Sequence, residues 1–519
     1  MSNTQKDPVC GMTVQPQRGL TVSYNEQTVY FCSEYCRNKF LERPEKYFAA
    51  LMAPSYDEAK EHRRIAYFSM EVAVGPGMPN YAGGLGVLAG DTLKSCADLR
   101  VPLVGVSLLS RKGYFDQHLD EWGHQQERPV EWQPEHFLRP LPETVTVEIE
   151  QRTVRVRAWQ YDIAGLNGYV VPLILLDTDV EGNTGYDRTL TGFLYGGDDR
   201  YRLAQEIVLG IGGVRMLHAL GYSGIQKFHM NEGHASLLLL ELLLRSHGES
   251  SAEWDFEGVR RQCVFTTHTP VPAGHDQFDY DLVQRVLGPV VPFDVLHMLS
   301  GEDGLNMTLL GLNLSHYVNG VANKRADLIL SDVSRLIEIA KQVGPLQFVF
   351  AGKAHPKDYA GKELIKRIID VSRQVRDQID IVYLENYDLE LAKRLVSGVD
   401  LWLNTPQRPL EASGTSGMKA AHNGVPSFST LDGWWIEGHL EGLTGWSIGS
   451  RDTGQIASEA VNWQDADDLY QKLKNVIVPL FYRHREQWIE VMRHAIALNA
   501  SYFNTHRMVQ QYVTNAYLA

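Results

Sequence analysis

The chain has 519 residues, 44% of them hydrophobic and 22% charged, which is enough for two to four domains with sizeable cores. Its formal net charge of −14 argues against a nucleic-acid-binding protein, and no apolar run is long enough to cross a bilayer. The polar start MSNTQKDPVC has no secretory signal, and the five cysteines are an odd number, so we expect a protein of the reducing cytoplasm.

Three of the cysteines lie in a short N-terminal segment, residues 5–48. Its motifs, DPVCGM at 7–12 and YFCSEYC at 30–36, resemble a YHS domain, a small cysteine-containing module found beside metal-handling proteins. Cys32 and Cys36 are four residues apart and share one face of a helix, and Cys10 can meet them across a hairpin. Three thiolates suit zinc or another soft metal with a fourth ligand unidentified; the alternative is three buried cysteines in a small core. Residues 49–63 read as a linker.

From Ile65 the chain alternates short apolar runs with helical segments. We predict strands over Ile65–Met70, Val101–Leu109, Tyr169–Leu176, Ile225–Met230 and Cys263–Thr267. Helical periodicity marks Asp199–Leu220 and Ala235–Arg245. This alternation is typical of a doubly wound α/β domain, which presents its ligand groups at the carboxyl ends of its strands.

Three motifs stand where such a sheet would carry a site. GGLG at 83–86 opens a helix, Asn231-Glu232-Gly233-His234 follows one predicted strand, and Thr267-His268-Thr269-Pro270 follows another. Each is weak alone: GGLG is equally consistent with a plain helix start, and single histidines are usually structural.

The second half repeats the strand–helix pattern. Strand Leu346–Ala351 precedes GKAHP with Lys353, and strand Ile379–Leu384 precedes ENY with Tyr387. A buried parallel strand, Val399–Thr405, then leads into EASGTSGMK at 411–419. Strand, small-residue turn and helix direct free N–H groups and a positive dipole end at a phosphate, and Lys419 lies where an amine can become nucleophilic. The alternatives are a glycine-rich turn followed by a surface lysine, and a solvated charge at Lys353.

EASGTSGMK, with NG at 423–424 and LDG at 431–433, resembles the cofactor segment of the α-glucan (glycogen, starch and maltodextrin) phosphorylases, particularly their short bacterial and archaeal branch. The earlier motifs match that family in the same order. The resemblance implies two Rossmann-like doubly wound α/β domains that face a cleft, the GT-B architecture of glycosyltransferases. We place these domains at 62–321 and 322–480, and C-terminal crossing helices at 481–519.

The resemblance also implies a role for each motif residue. In this family the motif lysine holds pyridoxal 5′-phosphate covalently. The expected cofactor-binding residues are Lys419, Gly414, Thr415, Tyr387 and Gly84. The expected substrate-binding residues are Glu411, Ser413, His234, Lys353 and His316, the histidine of SHYVNGVA at 315–322. Lys419, Lys324 and His316 are the expected catalytic residues.

The family's reaction is phosphorolysis of a terminal α-1,4 glucosidic bond, in which orthophosphate attacks and glucose 1-phosphate leaves with retained configuration. Two phosphates must lie side by side, so cations and N–H donors have to offset their repulsion. The resemblance therefore implies pyridoxal phosphate as the cofactor and an α-glucan and orthophosphate as partners, with no nucleic acid and no membrane. An oligomer is possible.

The match breaks after residue 322. The family continues there through a long segment with a further histidine loop and an arginine five residues before the lysine of a YKR motif. Here Asn323 precedes Lys324 and Arg325, and Asn319 stands at the arginine's position. An internal segment is missing, and half of the phosphate clamp with it. Three hypotheses follow: an active glucan phosphorylase, a catalytically impaired glucan- or cofactor-binding remnant, and a nucleotide-sugar glycosyltransferase of the same architecture.

Overall fold

The computed structural model describes most of the chain. The described residues are 5–9, 12–14, 19–24, 27–42, 44, 47, 59–75, 77–247, 254–268, 275–316, 318–319, 327–411, 413–450 and 458–518. Among these residues, no helix is both long enough and apolar enough to cross a membrane.

The described residues of a small N-terminal unit include two antiparallel strand pairs and a helix. Its elements are β1 (Gln5–Lys6), β2 (Thr13–Val14), β3 (Leu20–Tyr24), β4 (Gln27–Phe31) and α1 (Glu34–Glu42). Helix α1 turns Cys36 and Phe40 inward, where they pack on Val29 and Phe31 of β4. The core of this unit is therefore four buried side chains, framed by partly buried ones such as Cys32.

The N-terminal region, residues 59–319, is built around one large sheet. Its strands are β5 (Ile65–Ser69), β6 (Leu103–Leu108), β7 (Asp116–Leu119), β8 (Gln125–Arg128), β9 (Arg139–Ile149), β10 (Arg152–Ala164), β11 (Val170–Asp177), β12 (Lys227–Asn231), β13 (Cys263–Thr266), β14 (Gln277–Phe278), β15 (Leu305–Asn306) and β16 (Val318–Asn319). Eight of them form a sheet in the order β16-β13-β12-β5-β6-β11-β10-β9, in which the first six are parallel. The predicted strands are confirmed, while the antiparallel pairs β7–β8 and β9–β10 were not predicted.

Helices cover both faces of this sheet. They are α2 (Gly84–Asp98), α3 (Asp199–Ile207), α4 (Gly213–Ala219), α5 (Leu238–Ser246), α6 (Phe256–Gln262), α7 (Tyr280–Val286), α8 (Phe293–Ser300) and α9 (Met307–Asn313). A π-helical turn, Val208–Gly212, joins α3 to α4, so the predicted helix 199–220 is nearly continuous. In chain order the six parallel strands are arranged 3-2-1-4-5-6, with the switch point between β5 and β12. Ligand groups are expected beyond the carboxyl ends of those two strands.

The C-terminal region, residues 327–518, contains five parallel strands in two separate sheets. The strands are β17 (Gln347–Ala351), β18 (Asp380–Leu384), β19 (Trp402–Asn404), β20 (Ser427–Thr430) and β21 (Gly445–Ile448). Its helices are α10 (Val333–Gln342), α11 (Tyr359–Val375), α12 (Leu389–Gly398), α13 (Thr415–His422), α14 (Trp435–Gly438), α15 (Glu459–Lys472), α16 (Val478–Arg483), α17 (Arg485–His494) and α18 (Thr505–Tyr512). One sheet is β17–β18 and the other is β19–β20–β21.

The N-terminal sheet shows what separates these two sheets. If the C-terminal strands follow the same 3-2-1-4-5-6 order, β18 and β17 are strands 3 and 2, and β19, β20 and β21 are strands 4, 5 and 6. Strand 1, which would precede α10 and lie between β17 and β19, has no counterpart among the described residues. Side chains of β17 alternate between exposed and half-buried, whereas those of β5 are all buried. Among the described residues, the C-terminal region therefore shows the predicted α/β pattern in two separate sheets of parallel strands, with no strand that joins them.

The end of the chain packs against the N-terminal region. Thr505 Oγ1, at the start of α18, lies 2.7 Å from Ser95 Oγ of α2. The Tyr517 hydroxyl lies 2.7 Å from Nδ1 of His229, a buried residue of β12. The last helices of the chain are therefore part of the core that the large sheet shares with α2.

Candidate active site

The EASGTSGMK segment forms the turn and helix start that its sequence predicts. Gly414 is the N-cap of α13 and has φ +81°, a left-handed conformation that favours glycine. A Cβ at Gly417 would lie 2.9 Å from the Trp434 ring, so this glycine allows close packing. The Gly417 N–H donates to the Gly414 carbonyl at 3.1 Å. The N–H groups nearest the helix start, such as that of Thr415, precede the regular helical hydrogen bonds, which makes this helix start suited to an anion.

The turn before α13 is tied to the segment that follows β20. The Glu411 N–H donates to Asp432 Oδ2 at 2.8 Å, and the Trp434 N–H donates to the Ser413 carbonyl at 2.8 Å. Glu411 is buried and Ser413 is half-buried. The LDGW segment therefore fixes the backbone of both predicted sugar-binding residues.

Lys419 points from α13 toward the N-terminal region. Its Nζ lies 3.4 Å from Oδ2 of Asp91 on α2, and its side chain is 37% exposed. Gly84, the first residue of α2, lies two turns before Asp91, about 10 Å along the helix axis. The amine therefore faces the helix that begins with GGLG, across an opening that water can reach.

A buried carboxylate accepts hydrogen bonds from the backbone at the GGLG turn. Glu71, directly after β5, accepts the N–H of Ala82 at 2.6 Å and that of Gly83 at 3.2 Å, and the Tyr195 hydroxyl lies 2.8 Å from its other oxygen. Burial raises the pKa of Glu71, and these hydrogen bonds only partly oppose it. An added Cβ at Gly83 or Gly84 would meet no atom within 4 Å, so this turn borders open space.

Polar groups gather at the carboxyl ends of β12 and β13. Glu232 accepts the His268 N–H at 2.7 Å and the Thr267 hydroxyl at 2.9 Å, and the His268 ring contacts Asn231. Burial lowers the pKa of His268 to about 4. The structure thus places the NEGH motif beside Thr267 and His268, the described residues of THTP, at the carboxyl ends of two adjacent strands.

His234 lies at the same edge, at the start of the 3₁₀ turn Gly233–Ala235. Its Nε2 is 3.4 Å from Asp276 Oδ2, which also accepts from Arg202 Nε at 3.0 Å. Burial lowers the pKa of His234 to about 4, although Asp276 opposes that shift. The imidazole is therefore neutral at pH 7 and can accept or donate a single hydrogen bond.

His316 does not lie at this edge, and the sugar contact predicted for it stays a prediction. Its Nδ1 lies 2.8 Å from the carbonyl oxygen of Cys263, the first residue of β13. Because β16 runs parallel to β13, His316 precedes β16 at the amino edge of the sheet, while Glu232 and His268 lie at the carboxyl edge. The side chain is exposed there.

Lys353 and Tyr387 lie in the loops that follow β17 and β18. Lys353 Nζ donates to the Phe115 carbonyl of the N-terminal region at 2.9 Å, so it is not a free surface charge. Burial lowers its pKa. Tyr387 is half-buried, and the N–H of Leu389, two residues later, donates to the Tyr81 hydroxyl beside GGLG at 2.8 Å. Lys324, the predicted contact of the substrate phosphate, lies outside the described residues.

The N-terminal unit brings two of its three predicted ligands together. Cys32 Sγ and Cys36 Sγ are 3.7 Å apart, close to the roughly 3.8 Å between two thiolates on one tetrahedral zinc ion. The Asp7 carboxylate lies within 4.8 Å of both sulfurs and accepts the Cys32 N–H at 2.8 Å. Cys10 lies outside the described residues.

Several site residues were not predicted from the sequence. Asp91 carries no local signal, because its partner Lys419 is 328 residues away. Glu71 did have a local sequence signal, because it is the first charged residue after an apolar strand, at the sheet edge where ligands bind. Asp7 was visible only as the first residue of the DPVCGM motif.

The two α/β regions bring the lysine-bearing helix α13 opposite α2, which begins with a glycine-rich turn. This arrangement defines a mixed α/β protein with a candidate site in the crevice between α2 and α13. The family model for carbohydrate phosphorylase matches residues 329–441, and that for the YHS domain matches residues 5–50. The chain is 33% identical to a maltodextrin phosphorylase of Thermococcus litoralis over 91% of its length and 72% of the relative. It is 32% identical to a glycogen phosphorylase of Mycobacterium tuberculosis, over 87% of its length and 70% of that protein.

The chain belongs to the carbohydrate phosphorylase family and carries a YHS domain at its N-terminal end. The Thermococcus alignment runs over 613 positions, whereas the matched share of this chain is only about 470 residues. More than roughly a hundred positions of the relative therefore lack a counterpart here. Gaps of that total size agree with the internal segment that the sequence was predicted to lack.

Proposed function

We propose that the chain is an α-1,4-glucan phosphorylase, a hexosyltransferase that releases glucose 1-phosphate from the end of a glycogen, starch or maltodextrin chain with orthophosphate. The observation that carries the proposal is the position of Lys419, on the first turns of α13 and facing α2. Family membership supports it. We further propose that the two α/β regions face each other in the GT-B manner.

The donor set of the crevice fits pyridoxal 5′-phosphate. Lys419 supplies an amine for the aldehyde, while Gly414 and Thr415 supply open N–H groups for the phosphate. Gly84 leaves room on the side opposite these groups. Tyr387 would flank the pyridine ring of the cofactor. When bound, the cofactor would supply a phosphate that exchanges a proton with orthophosphate.

The chain's own residues would then bind and orient the glucan end. Glu411 and Ser413, fixed by Asp432 and Trp434, are placed to bind glucosyl hydroxyls. His234, neutral and buried, offers one ring hydrogen bond to the sugar. Lys353 and Lys324 would contribute positive charge toward the orthophosphate.

A second candidate is a catalytically impaired member of the family that binds a glucan or the cofactor. The split C-terminal sheet favours it, because strand 1 would end at the switch point between β17 and β19. Asn319 in place of the predicted arginine favours it too, because losing one cation opposite a phosphate typically costs a hundredfold or more in rate.

Two measurements on the full chain test the proposal. Borohydride reduction after incubation with pyridoxal phosphate should attach the cofactor to Lys419, detected by peptide mass spectrometry, and Lys419→Ala should abolish the adduct. Maltodextrin and orthophosphate should then yield glucose 1-phosphate. An adduct without glucose 1-phosphate would support the impaired candidate, and absence of both would overturn the cofactor assignment.

We also propose that the YHS unit binds a soft metal through Cys32 and Cys36, with Cys10 as the predicted third thiolate. The 3.7 Å between the two sulfurs supports this assignment. Zinc content measured after dialysis should fall in Cys36→Ser and stay unchanged in Cys96→Ser, which alters a buried cysteine of α2. Equal zinc in both variants would contradict it.

A further inference from the structure

Hairpin β7–β8 of the N-terminal region lies against the loops that follow β17 and β18. Two glutamines of the hairpin, Gln117 and Gln125, are almost completely buried at this contact, with 1% and 7% of their surfaces exposed. Neighbouring Gln126 is exposed. Buried amides of this kind are costly unless their donors and acceptors are paired.

Gln125 pairs with both backbone groups of Ala354. Its Nε2 donates to the Ala354 carbonyl at 2.8 Å, and the Ala354 N–H donates to its Oε1 at 3.0 Å. The same Nε2 also donates to Glu127 Oε1 at 2.7 Å, which holds the amide in this orientation. Ala354 directly follows Lys353, so this pair fixes the backbone from which Lys353 projects.

Gln117 pairs with Asn386 in the second loop. The Asn386 N–H donates to Gln117 Oε1 at 2.9 Å, and the Gln117 N–H donates to Asn386 Oδ1 at 3.2 Å. Gln117 Nε2 in turn donates to Gln125 Oε1 at 2.8 Å, so the two glutamines form one network. Asn386 directly precedes Tyr387.

The split sheet makes this contact important. In an unbroken doubly wound sheet, strand 1 would fix β17 relative to β19 and thus the loops of Lys353 and Tyr387 relative to α13. Among the described residues, β17 and β18 pair only with each other. Hydrogen bonds from Gln117 and Gln125 of the N-terminal region therefore hold the loops at the carboxyl ends of these two strands.

We propose that Gln117 and Gln125 are positioning residues that set the Lys353 and Tyr387 loops against the crevice. The assignment of those loops to the site rests on the proposed function. The two glutamines also hold this side of the crevice at a fixed opening, because moving the regions apart here would leave several buried polar groups unpaired.

Hydrogen–deuterium exchange of the full chain tests the positioning without relying on activity. Gln125→Met and Gln117→Met keep the side-chain volume and remove the amide, and Gln126→Met is the matched control. We expect exchange at residues 352–356 and 385–388 to quicken by about tenfold or more in the first two variants only, with β12 and α13 unchanged. Unchanged loops, or equally faster exchange throughout the protein, would overturn the proposal.

Two further readouts complete the test. In the unaltered protein at low urea, exchange should show residues 116–128 opening together with both loops before global unfolding. This measurement does not depend on any variant folding. If the protein releases glucose 1-phosphate, Gln125→Met should lower kcat about tenfold while KM for maltodextrin changes less than threefold. If the unaltered protein releases no glucose 1-phosphate but the variants show faster loop exchange, the proposed function is overturned and the positioning role stands. If the hairpin and the loops open separately in urea, the positioning role is overturned.

Discussion

Lys419 Nζ on α13 and Asp91 Oδ2 on α2 lie 3.4 Å apart, and this ion pair joins the two helices that border the crevice. Both side chains are about a third exposed, so the pair contributes little to stability. Its significance lies in its position. An amine that reacts with an aldehyde must leave its carboxylate partner, and an anionic phosphate that enters the crevice must approach the same carboxylate.

Asp91→Asn should therefore speed the capture of pyridoxal phosphate by Lys419. The amide removes the negative charge that holds the amine and repels the phosphate, and it keeps the side-chain shape. We expect the absorbance change that follows mixing to be several-fold faster than in the unaltered protein.

Lys419→Arg is the matching control, since it keeps the ion pair but cannot form the covalent bond. It should show no absorbance change in either background. A capture rate that is slower in Asp91→Asn would mean that the carboxylate assists the reaction instead of competing with it.

Much of the fold could be predicted because apolar runs such as Ile65–Met70 encode buried parallel strands directly. The EASGTSGMK turn was predictable for a similar reason, since strand, glycines and lysine are local in sequence. Pairing across the crevice was not, because Asp91 and Lys419 are brought together only by the assembled sheets. His316 shows the same limit: its motif places it beside a strand, but only the sheet register reveals which end of the strand it occupies.

One edge of β17 is unpaired among the described residues, and this edge predicts self-association. Val349 on this strand is 37% exposed, and an edge with free N–H and C=O groups beside apolar side chains invites pairing with another chain. Val349→Lys should lower concentration-dependent association, because a charged side chain blunts such an edge. Sedimentation velocity over a range of concentrations measures the effect.

Leu166→Lys provides the control for that measurement. Leu166 is 82% exposed in the turn between β10 and β11, away from β17, so adding a lysine there changes net charge without changing the edge. Equal effects of the two substitutions would show that charge alone, and not the β17 edge, controls association.

His229 predicts a specific loss of stability in acid. Burial lowers the pKa of His229 to about 3, so it is neutral when folded, while the unfolded chain binds a proton near pH 6.5. The unfolded state therefore binds more protons as pH falls from about 6.5 to 3, and the folded state loses about 1.4 kcal/mol per pH unit from this residue.

His229→Gln should reduce that slope, because an amide can bond Tyr517 and Thr266 in place of the ring but does not titrate. Urea unfolding at pH 7, 6 and 5 measures the difference from the unaltered protein. Parallel pH profiles for His229→Gln and the unaltered protein would contradict the prediction.

The ion pair between Arg408 and Asp465 holds the segment that leads into EASGTSGMK against α15. Arg408 Nη2 lies 2.7 Å from Asp465 Oδ1, and the two side chains are only 5% and 1% exposed. Removing one charge of such a pair leaves the other charge buried without a counter-charge, in an interior that solvates it poorly. Arg408→Met should therefore lower the free energy of unfolding of the C-terminal region by about 3–5 kcal/mol.

The double variant Arg408→Met with Asp465→Leu should recover most of that loss, because two apolar side chains of similar volume carry no unbalanced charge. Urea unfolding followed by tryptophan fluorescence measures both variants, since Trp446 and Trp488 lie in the same core as β21 and α17. If the double variant is as unstable as Arg408→Met, shape and hydrogen bonding hold this segment, and charge balance does not. Such a result would also predict that Arg408→Met loosens the Glu411 turn, which exchange of the Ser413 and Gly414 amides would reveal.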